Sequence, residues 1–296
     1  MKVQVERLFL SVNGLQLSLL QAHPAKQERY PVLVLLHGFT GSALGWGSLL
    51  EELAAAGLRI LAFDLHGHGL SDAPADPQRY SMEHCRADLL EALRQLGIAP
   101  NEAILLGYSL GGRIALYCAF SGFFRALILE SASPGIAAPQ EREQRRRRDE
   151  ELAASIEREG VAAFVAQWER QPLFASQQRL PEAQRAALRA QRLANRAEGL
   201  AGSLRGVGTG VQPPLHARLS ELRLPVLLIC GSLDEKFCAI GREMAAHLPS
   251  ATLAIVPEAG HTVHLEQPDR FLELVLSFCS ALPSTCEPQS KTAAAS

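Results

Sequence analysis

Four short runs, Val32 to Leu36, Ala103 to Gly107, Ala126 to Glu130 and Val226 to Cys230, are apolar almost without interruption and show no polar alternation. A strand with one wet face alternates; a run apolar at successive positions must be buried on both faces, as in a parallel sheet covered by helices. Helical periodicity separates the runs: Trp46 to Ala56, Met82 to Leu96, Leu110 to Phe120, about Ala239 to Leu248, and Asp269 to Leu282. Two further strands fit at Arg59 to Asp64 and Thr252 to Val256. Such βαβα alternation predicts an α/β fold, a doubly wound and mostly parallel sheet with right-handed crossovers. The front differs: Glu6 to Val12 and Leu15 to Gln21 flank Asn13-Gly14, a two-residue hairpin signal, so the sheet begins antiparallel.

The rhythm stops after Ser133-Pro134-Gly135. From Ala137 to Leu204 the chain carries only charged, amphipathic helical sequence rich in Arg, Glu, Gln and Ala, and the strands resume at Pro225. The expected organisation is one core, 1–135 plus 212–282, an inserted helical lid at 136–211, and a Ser/Thr/Pro/Ala-rich tail, 283–296, that is expected to be disordered. Lys+Arg of 29 against Asp+Glu of 31 gives a formal net charge of −2, which excludes a global bias toward nucleic acid or anionic membrane. The six cysteines (Cys85, Cys118, Cys230, Cys238, Cys279, Cys286) have no paired spacing, so neither a zinc site nor a disulfide framework is expected. With no signal-like run and no membrane span, a cytoplasmic protein is expected, monomeric or weakly self-associating.

The chemistry centres on Gly107-Tyr108-Ser109-Leu110-Gly111, a G-x-S-x-G between an apolar strand and a helix. Glycines two before and two after the serine permit a strained turn that lifts the Ser109 hydroxyl above the sheet's carboxyl edge. A serine needs an imidazole to take its proton and a carboxylate to orient the imidazole. Asp234, in Gly231-Ser232-Leu233-Asp234, and His261, in Ala259-Gly260-His261, each follow a strand in that order. His264 is the rival imidazole, expected to be a packing or surface residue; Glu130 is the alternative acid, and Asp64 is expected to hold a loop together. After the strand Val32 to Leu36 comes His37-Gly38-Phe39-Thr40-Gly41, which predicts an oxyanion site from the N–H groups of Phe39 and Leu110.

His37-Gly38, Asp64 through Ser71, Gly107 through Gly112, Asp234 and His261, in that order and on those elements, resemble the α/β-hydrolase superfamily from about Glu6 to Leu282. A narrower likeness rests on Gly107 through Arg113, on Trp168 through Ser176 with its Gln171-Pro172-Leu173-Phe174-Ala175-Ser176, and on Cys230 through Phe237. Those strings are similar to the 2-succinyl-6-hydroxy-2,4-cyclohexadiene-1-carboxylate synthase family, pyruvate-eliminating enzymes of menaquinone and phylloquinone biosynthesis. The resemblance implies a small polycarboxylate substrate, no metal or organic cofactor, and Ser109 acting as a base. It also implies substrate contacts from Tyr108, Trp168, Arg113, Arg145 and Arg189.

A planar guanidinium is the side chain for pairing with carboxylates, so the implied set is chemically coherent. Arg185, Arg189, Arg192 and Arg196 share one helical face, and the ordinary alternative is that such arginines solvate exposed surface. Arg147 and Arg192 are expected to do only that. Two other readings stay open at this point: a serine hydrolase of esters or carbon–carbon bonds, and a non-catalytic receptor that keeps the pocket.

Overall fold

The computed structural model describes residues 3–24 and 31–283, so the expected tail, Cys286 included, lies outside the described residues apart from Pro283. Eight strands form one sheet: β1 (Val5–Val12), β2 (Leu15–Ala22), β3 (Val32–Leu36), β4 (Ile60–Phe63), β5 (Ala103–Tyr108), β6 (Ala126–Glu130), β7 (Val226–Gly231) and β8 (Ala251–Val256). Their order is β1-β2-β4-β3-β5-β6-β7-β8. The β1–β2 and β2–β4 pairs are antiparallel and the other five are parallel. The α/β fold with a mostly parallel sheet is thus as expected, its antiparallel edge included. Its helices are α1 (Leu49–Ala55), α2 (Met82–Gln95), α3 (Leu110–Ala119), α4 (Pro139–Glu159), α5 (Val161–Trp168), α6 (Glu182–Leu193), α7 (Ala197–Val207), α8 (Glu235–His247), α9 (Val263–Glu266) and α10 (Pro268–Ala281).

The apolar runs are apolar because each strand feeds two cores. Val34 and Leu36 of β3, Leu105 of β5 and Leu127 of β6 pack on one face of the sheet with α2 and α3. Leu33, Leu35, Ile104 and Ile128 pack on the other with α1 and α10. Alternation is present, but between two apolar layers, so no polar residue marks it.

Between β6 and β7 lie α4 to α7 and a 3-10 segment at Pro172–Arg179. Ala153, Ile156, Phe164, Val165, Leu200, Ala201 and Leu204 give these helices a small core of their own. Arg205 also bridges Glu150 and Glu157 between α4 and α7. Exposed pairs of that kind are worth roughly 0 to 1 kcal/mol, whereas each large buried side chain contributes about 1.5 to 3 kcal/mol, so the apolar cluster holds the layer together.

The loops beneath this layer are tied by buried polar groups. Asp64 accepts hydrogen bonds from the N–H of Ala43 at 2.7 Å and of Leu70 at 3.1 Å, and from Arg7, the loop-holding role expected of it. His37 donates from Nδ1 to the Gly38 carbonyl and accepts the Leu65 N–H at Nε2, which defines a neutral imidazole; burial holds its pKa below the ordinary value. His68, packed against His37 and Phe39, is pushed down to about 3 by burial and then by His37. At Gly199 the backbones of α7 and the Asp64–Ser71 loop touch: a Cβ there would lie 2.1 Å from the Gly67 carbonyl oxygen.

Two outcomes follow from these contacts. Gly199→Ala should cost about 1 to 3 kcal/mol of stability, as overpacked cores do, measured by denaturant unfolding; a neutral change would mean that α7 does not rest on this loop. His68 is neutral in the folded protein down to about pH 3 but takes a proton near 6.5 when unfolded. Acid therefore favours the unfolded chain between those values, at about 1.4 kcal/mol per pH unit for one such group. Stability of His68→Asn should fall less steeply below pH 6.5 than that of the parent, and equal slopes would refute the assignment.

Candidate active site

β5 ends in the turn that presents Ser109. Ser109 has φ 51 and ψ −106, a conformation that a non-glycine residue holds only when its surroundings enforce it. The enforcement is close backbone packing: a Cβ on Gly107 would lie 2.3 Å from the Gly111 carbonyl oxygen, and one on Gly111 would lie 2.2 Å from that of Leu36. Glycine is required at both places by contact rather than by φ. The hydroxyl is therefore delivered above the sheet at the first turn of α3.

His261 Nε2 lies 3.0 Å from Ser109 Oγ, and His261 Nδ1 lies 2.6 Å from Asp234 Oδ2. The other oxygen of Asp234 accepts the Phe237 N–H at 3.3 Å, so the carboxylate both caps α8 and orients the imidazole. His261 and Asp234 are buried, and Phe237 lies tilted against the imidazole with ring centroids 4.6 Å apart. The rival groups pair with each other: His264 Nδ1 lies 2.7 Å from Glu130 Oε2, both side chains buried. Among the described residues neither the Phe39 nor the Leu110 N–H has an acceptor, and Leu110 heads α3, where no intrahelical acceptor exists.

Above Ser109 the helical layer contributes an aromatic wall. Trp168 meets Phe39, Phe164 and Phe174 at centroid distances of 5.5, 5.4 and 5.6 Å, and its buried Nε1–H has no partner. Tyr108 lies against both His261 and His264, and its hydroxyl contacts Thr262 Oγ1 at 2.8 Å; burial raises its pKa above the ordinary phenol value.

The arginines sort differently from expectation. Arg113 is buried, with Nη1 donating at 2.9 Å to both the Val207 carbonyl and Gln212 Oε1, and burial lowers its pKa to about 10. Arg145 is half-exposed and paired with Asp149 one turn away. Arg189 is 48 % exposed and paired with Glu169. Arg192, expected to solvate a helix face, is instead 6 % exposed. Its guanidinium stacks on Phe174 at 5.1 Å, donates to Gln177 Oε1 at 3.0 Å, and keeps a buried Nε–H without a partner. With Gly38, Tyr108, Phe174, Leu188 and Thr262 it lines a cavity of about 50 Å³ beneath the layer. One signal was available: Leu188 is one of the two leucines of α6, with Leu193, and Arg192 follows Leu188 by four, on the same face. Gln177, buried on the 3-10 segment, had no signal in its sequence neighbourhood.

A family model for the α/β hydrolase fold matches residues 31–268. A Bacillus subtilis (strain 168) protein named, provisionally, as a 2-succinyl-6-hydroxy-2,4-cyclohexadiene-1-carboxylate synthase is 46% identical over 252 residues, 84% of this chain and 90% of its own. The synthase of that name from Serratia proteamaculans (strain 568) is 36% identical over 251 residues, 84% of this chain and 92% of its own. The solved structure of MenH from S. aureus superposes with a TM-score of 0.83 at 31% identity, covering 95% of this chain and 98% of that one. On fold, triad geometry and relatedness over most of its length, the chain belongs to the 2-succinyl-6-hydroxy-2,4-cyclohexadiene-1-carboxylate synthase (MenH) family of α/β hydrolases.

Proposed function

We propose that this enzyme eliminates pyruvate from 2-succinyl-5-enolpyruvyl-6-hydroxy-3-cyclohexene-1-carboxylate to give 2-succinyl-6-hydroxy-2,4-cyclohexadiene-1-carboxylate, the reaction for which its relatives are named, in menaquinone biosynthesis. The observation that carries the reading is a formed Ser109–His261–Asp234 array beneath a cover that buries a cationic arginine with an unused N–H. Glu169 meets this guanidinium at one nitrogen only, at 3.3 Å, and the buried Nε–H left over is a donor suited to a substrate carboxylate. Residues 136–211 act in this reading as the lid over a core of 1–135 and 212–282. No helix among the described residues is long and apolar enough to cross a membrane, which accords with a cytoplasmic biosynthetic enzyme.

In the proposed mechanism His261 Nε2 takes the Ser109 proton across 3.0 Å, and Asp234 stabilises the resulting imidazolium. The Ser109 oxygen removes the proton α to the succinyl ketone. The electron pair moves first onto the ketone oxygen, where the Phe39 and Leu110 N–H groups receive it. It then returns through the ring, forming the diene as the C–O bond to enolpyruvate breaks; protonation of that leaving group gives pyruvate. Serine is regenerated without ever holding an acyl group. Tyr108 and Trp168 shape the ring site, Trp168 with an N–H to offer. Arg192, through the Nε–H that its own 3.3 Å pairing with Glu169 leaves unused, joins Arg113 as a carboxylate ligand, while Arg145 and Arg189 would have to release Asp149 and Glu169 to take part.

The test is stoichiometric pyruvate release from the enolpyruvyl cyclohexene, with p-nitrophenyl esters as counter-assay. Ser109→Ala, Asp234→Asn and His261→Ala should each lower turnover by roughly 10⁴- to 10⁶-fold without unfolding the chain. Mass spectrometry of enzyme quenched during turnover should find no substrate fragment on Ser109; an adduct there, with rapid ester hydrolysis, would make the protein a serine hydrolase instead.

The arginines should rank by burial. Lysine at 113 or 192 should reduce kcat/KM by about 1.5 to 3 kcal/mol, the worth of a charged hydrogen bond in a water-poor site. Lysine at 145 or 189 should cost less. Arg147, with its side chain 74 % exposed on Glu143, should be nearly silent. Equal effects at Arg192 and Arg147 would remove the clamp from the mechanism.

A further inference from the structure

The helical layer holds a second cavity, outside the first. It has a volume of about 290 Å³ and is bounded by α6 and the 3-10 segment Pro172–Arg179. Arg185, Arg189, Glu169, Glu182 and Gln178 line it, and none of them reaches the cavity of about 50 Å³ beneath the layer. Phe174, Gln177, Leu188 and Arg192 line both. One layer of side chains therefore separates the outer cavity from the inner one, whose wall includes Gly38 and Tyr108, the residue before Ser109.

The outer cavity is cationic by sequence and by placement. From Trp168 to Arg196 the chain carries six arginines and two glutamates, in a protein whose formal net charge is −2. Arg185, Arg189 and Arg192 fall at successive turns on one face of α6 and bring three guanidinium groups to the cavity. Glu169 is spent on two of them: it accepts from Arg189 and, at 3.3 Å, from Arg192. Arg185 has a neutral partner, donating to Gln178 Oε1 at 3.2 Å. Glu182, one turn before Arg185, is the other acid on the wall. Behind these groups the buried Arg192 Nε–H has no partner.

We propose that the outer cavity is an entry site for the polycarboxylate substrate, held there by Arg185 and Arg189 before one of its carboxylates passes to Arg192 and the ring enters the inner cavity. The inference rests on the lyase reading and on the carboxylate role given above to Arg192. A multiply charged ligand is drawn to a surplus of guanidinium groups through intervening water, since charges still act over about 10 Å at 0.1 M salt. At this outer site charge counts for more than the planar fork, because Arg185 and Arg189 are exposed and hydrated. The handover exchanges like for like: the arriving carboxylate replaces Glu169 on Arg189 and then meets the free Nε–H of Arg192. The order of the arginines along α6, exposed at 185 and 189 and buried at 192, is the order in which a carboxylate meets them.

The probe is tricarballylate, a tricarboxylate with no leaving group, titrated calorimetrically at low salt into the parent chain and into Arg185→Glu, Ala186→Glu, Ala186→Lys and the control Arg147→Glu. Thermal melting verifies that each variant folds. Ala186 lines the outer cavity but not the inner one and is exposed, so it accepts either charge without disturbing a packed contact. Binding should weaken about tenfold in Arg185→Glu and about threefold in Ala186→Glu, tighten about threefold in Ala186→Lys, and stay parent-like in Arg147→Glu. Raising the salt to about 0.5 M should erase these differences. The second readout is the stopped-flow association rate constant of the enolpyruvyl substrate, which should follow the same order, while kcat of the Ala186 variants should not change. No tricarballylate binding by the parent, parent-like binding in Arg185→Glu and Ala186→Glu, or an equal loss in Arg147→Glu would overturn the site. Weakened tricarballylate binding with parent-like association of the substrate would overturn its part in entry. If the parent chain releases no pyruvate, the lyase reading fails by itself, and the calorimetry still decides whether the cavity takes a polycarboxylate.

Discussion

Everything at the site depends on the packing of bare backbone at the β5–α3 turn. Gly107 lies against Gly111, and Gly111 against the carbonyls of Leu36 at the end of β3 and of His37 just after it, with no room for a single Cβ at either glycine. That contact forces Ser109 to positive φ and aims its hydroxyl. It also brings the first turn of α3 beside the turn after β3, the two places where the Leu110 and Phe39 N–H groups have no acceptor among the described residues. One steric constraint therefore sets both the serine and its neighbourhood. The triad bonds at 3.0 and 2.6 Å are a consequence of where this turn sits relative to the ends of β7 and β8.

What could be read from the chain follows from the same physics. The sheet was legible because two-sided burial leaves continuous apolar runs, and the strand bounds shifted by a residue or so where pairing extended them, as in β7 reaching Gly231. The start of α8 was not: the helix begins at Glu235, four residues before the apolar periodicity suggests, because Asp234 caps it through the Phe237 N–H. Asp234 reads as a catalytic acid, and that reading hides its equally plain use as a cap. The opposite error arises at Trp46, where a 3-10 turn over Ala43–Trp46 and a break at Gly47 precede α1.

The arginines mark the limit of pattern reading. A helical face containing Arg185, Arg189 and Arg192 can be drawn from spacing alone, but which of the three points inward depends on how α6 is rolled against the core. That roll is set by contacts distant in sequence: Gln191 to Ser42 and Asn195 to the Thr40 carbonyl dock α6 and its C-terminal end on the turn after β3. With those fixed, Arg192 must enter the cavity and Arg189 must face Glu169 and solvent. Charge, period and composition are the same for both residues; only tertiary docking separates them.

The pairing of Glu130 with His264 has a similar logic. Glu130 ends β6, next to β5 and β7, where an unpaired carboxylate would be buried at a cost far above that of a surface charge. His264 answers it with both its N–H and its ring, at 3.0 and 2.7 Å, while Trp46, Tyr108 and Phe271 close round the imidazole. Two carboxylate–imidazole pairs thus flank Tyr108, and the side chain of only one reaches Ser109. Because His264 occupies Glu130, the second acid is not free to draw His261 away from Asp234. The His261 imidazole is thus left to bridge Asp234 and Ser109, at 2.6 and 3.0 Å.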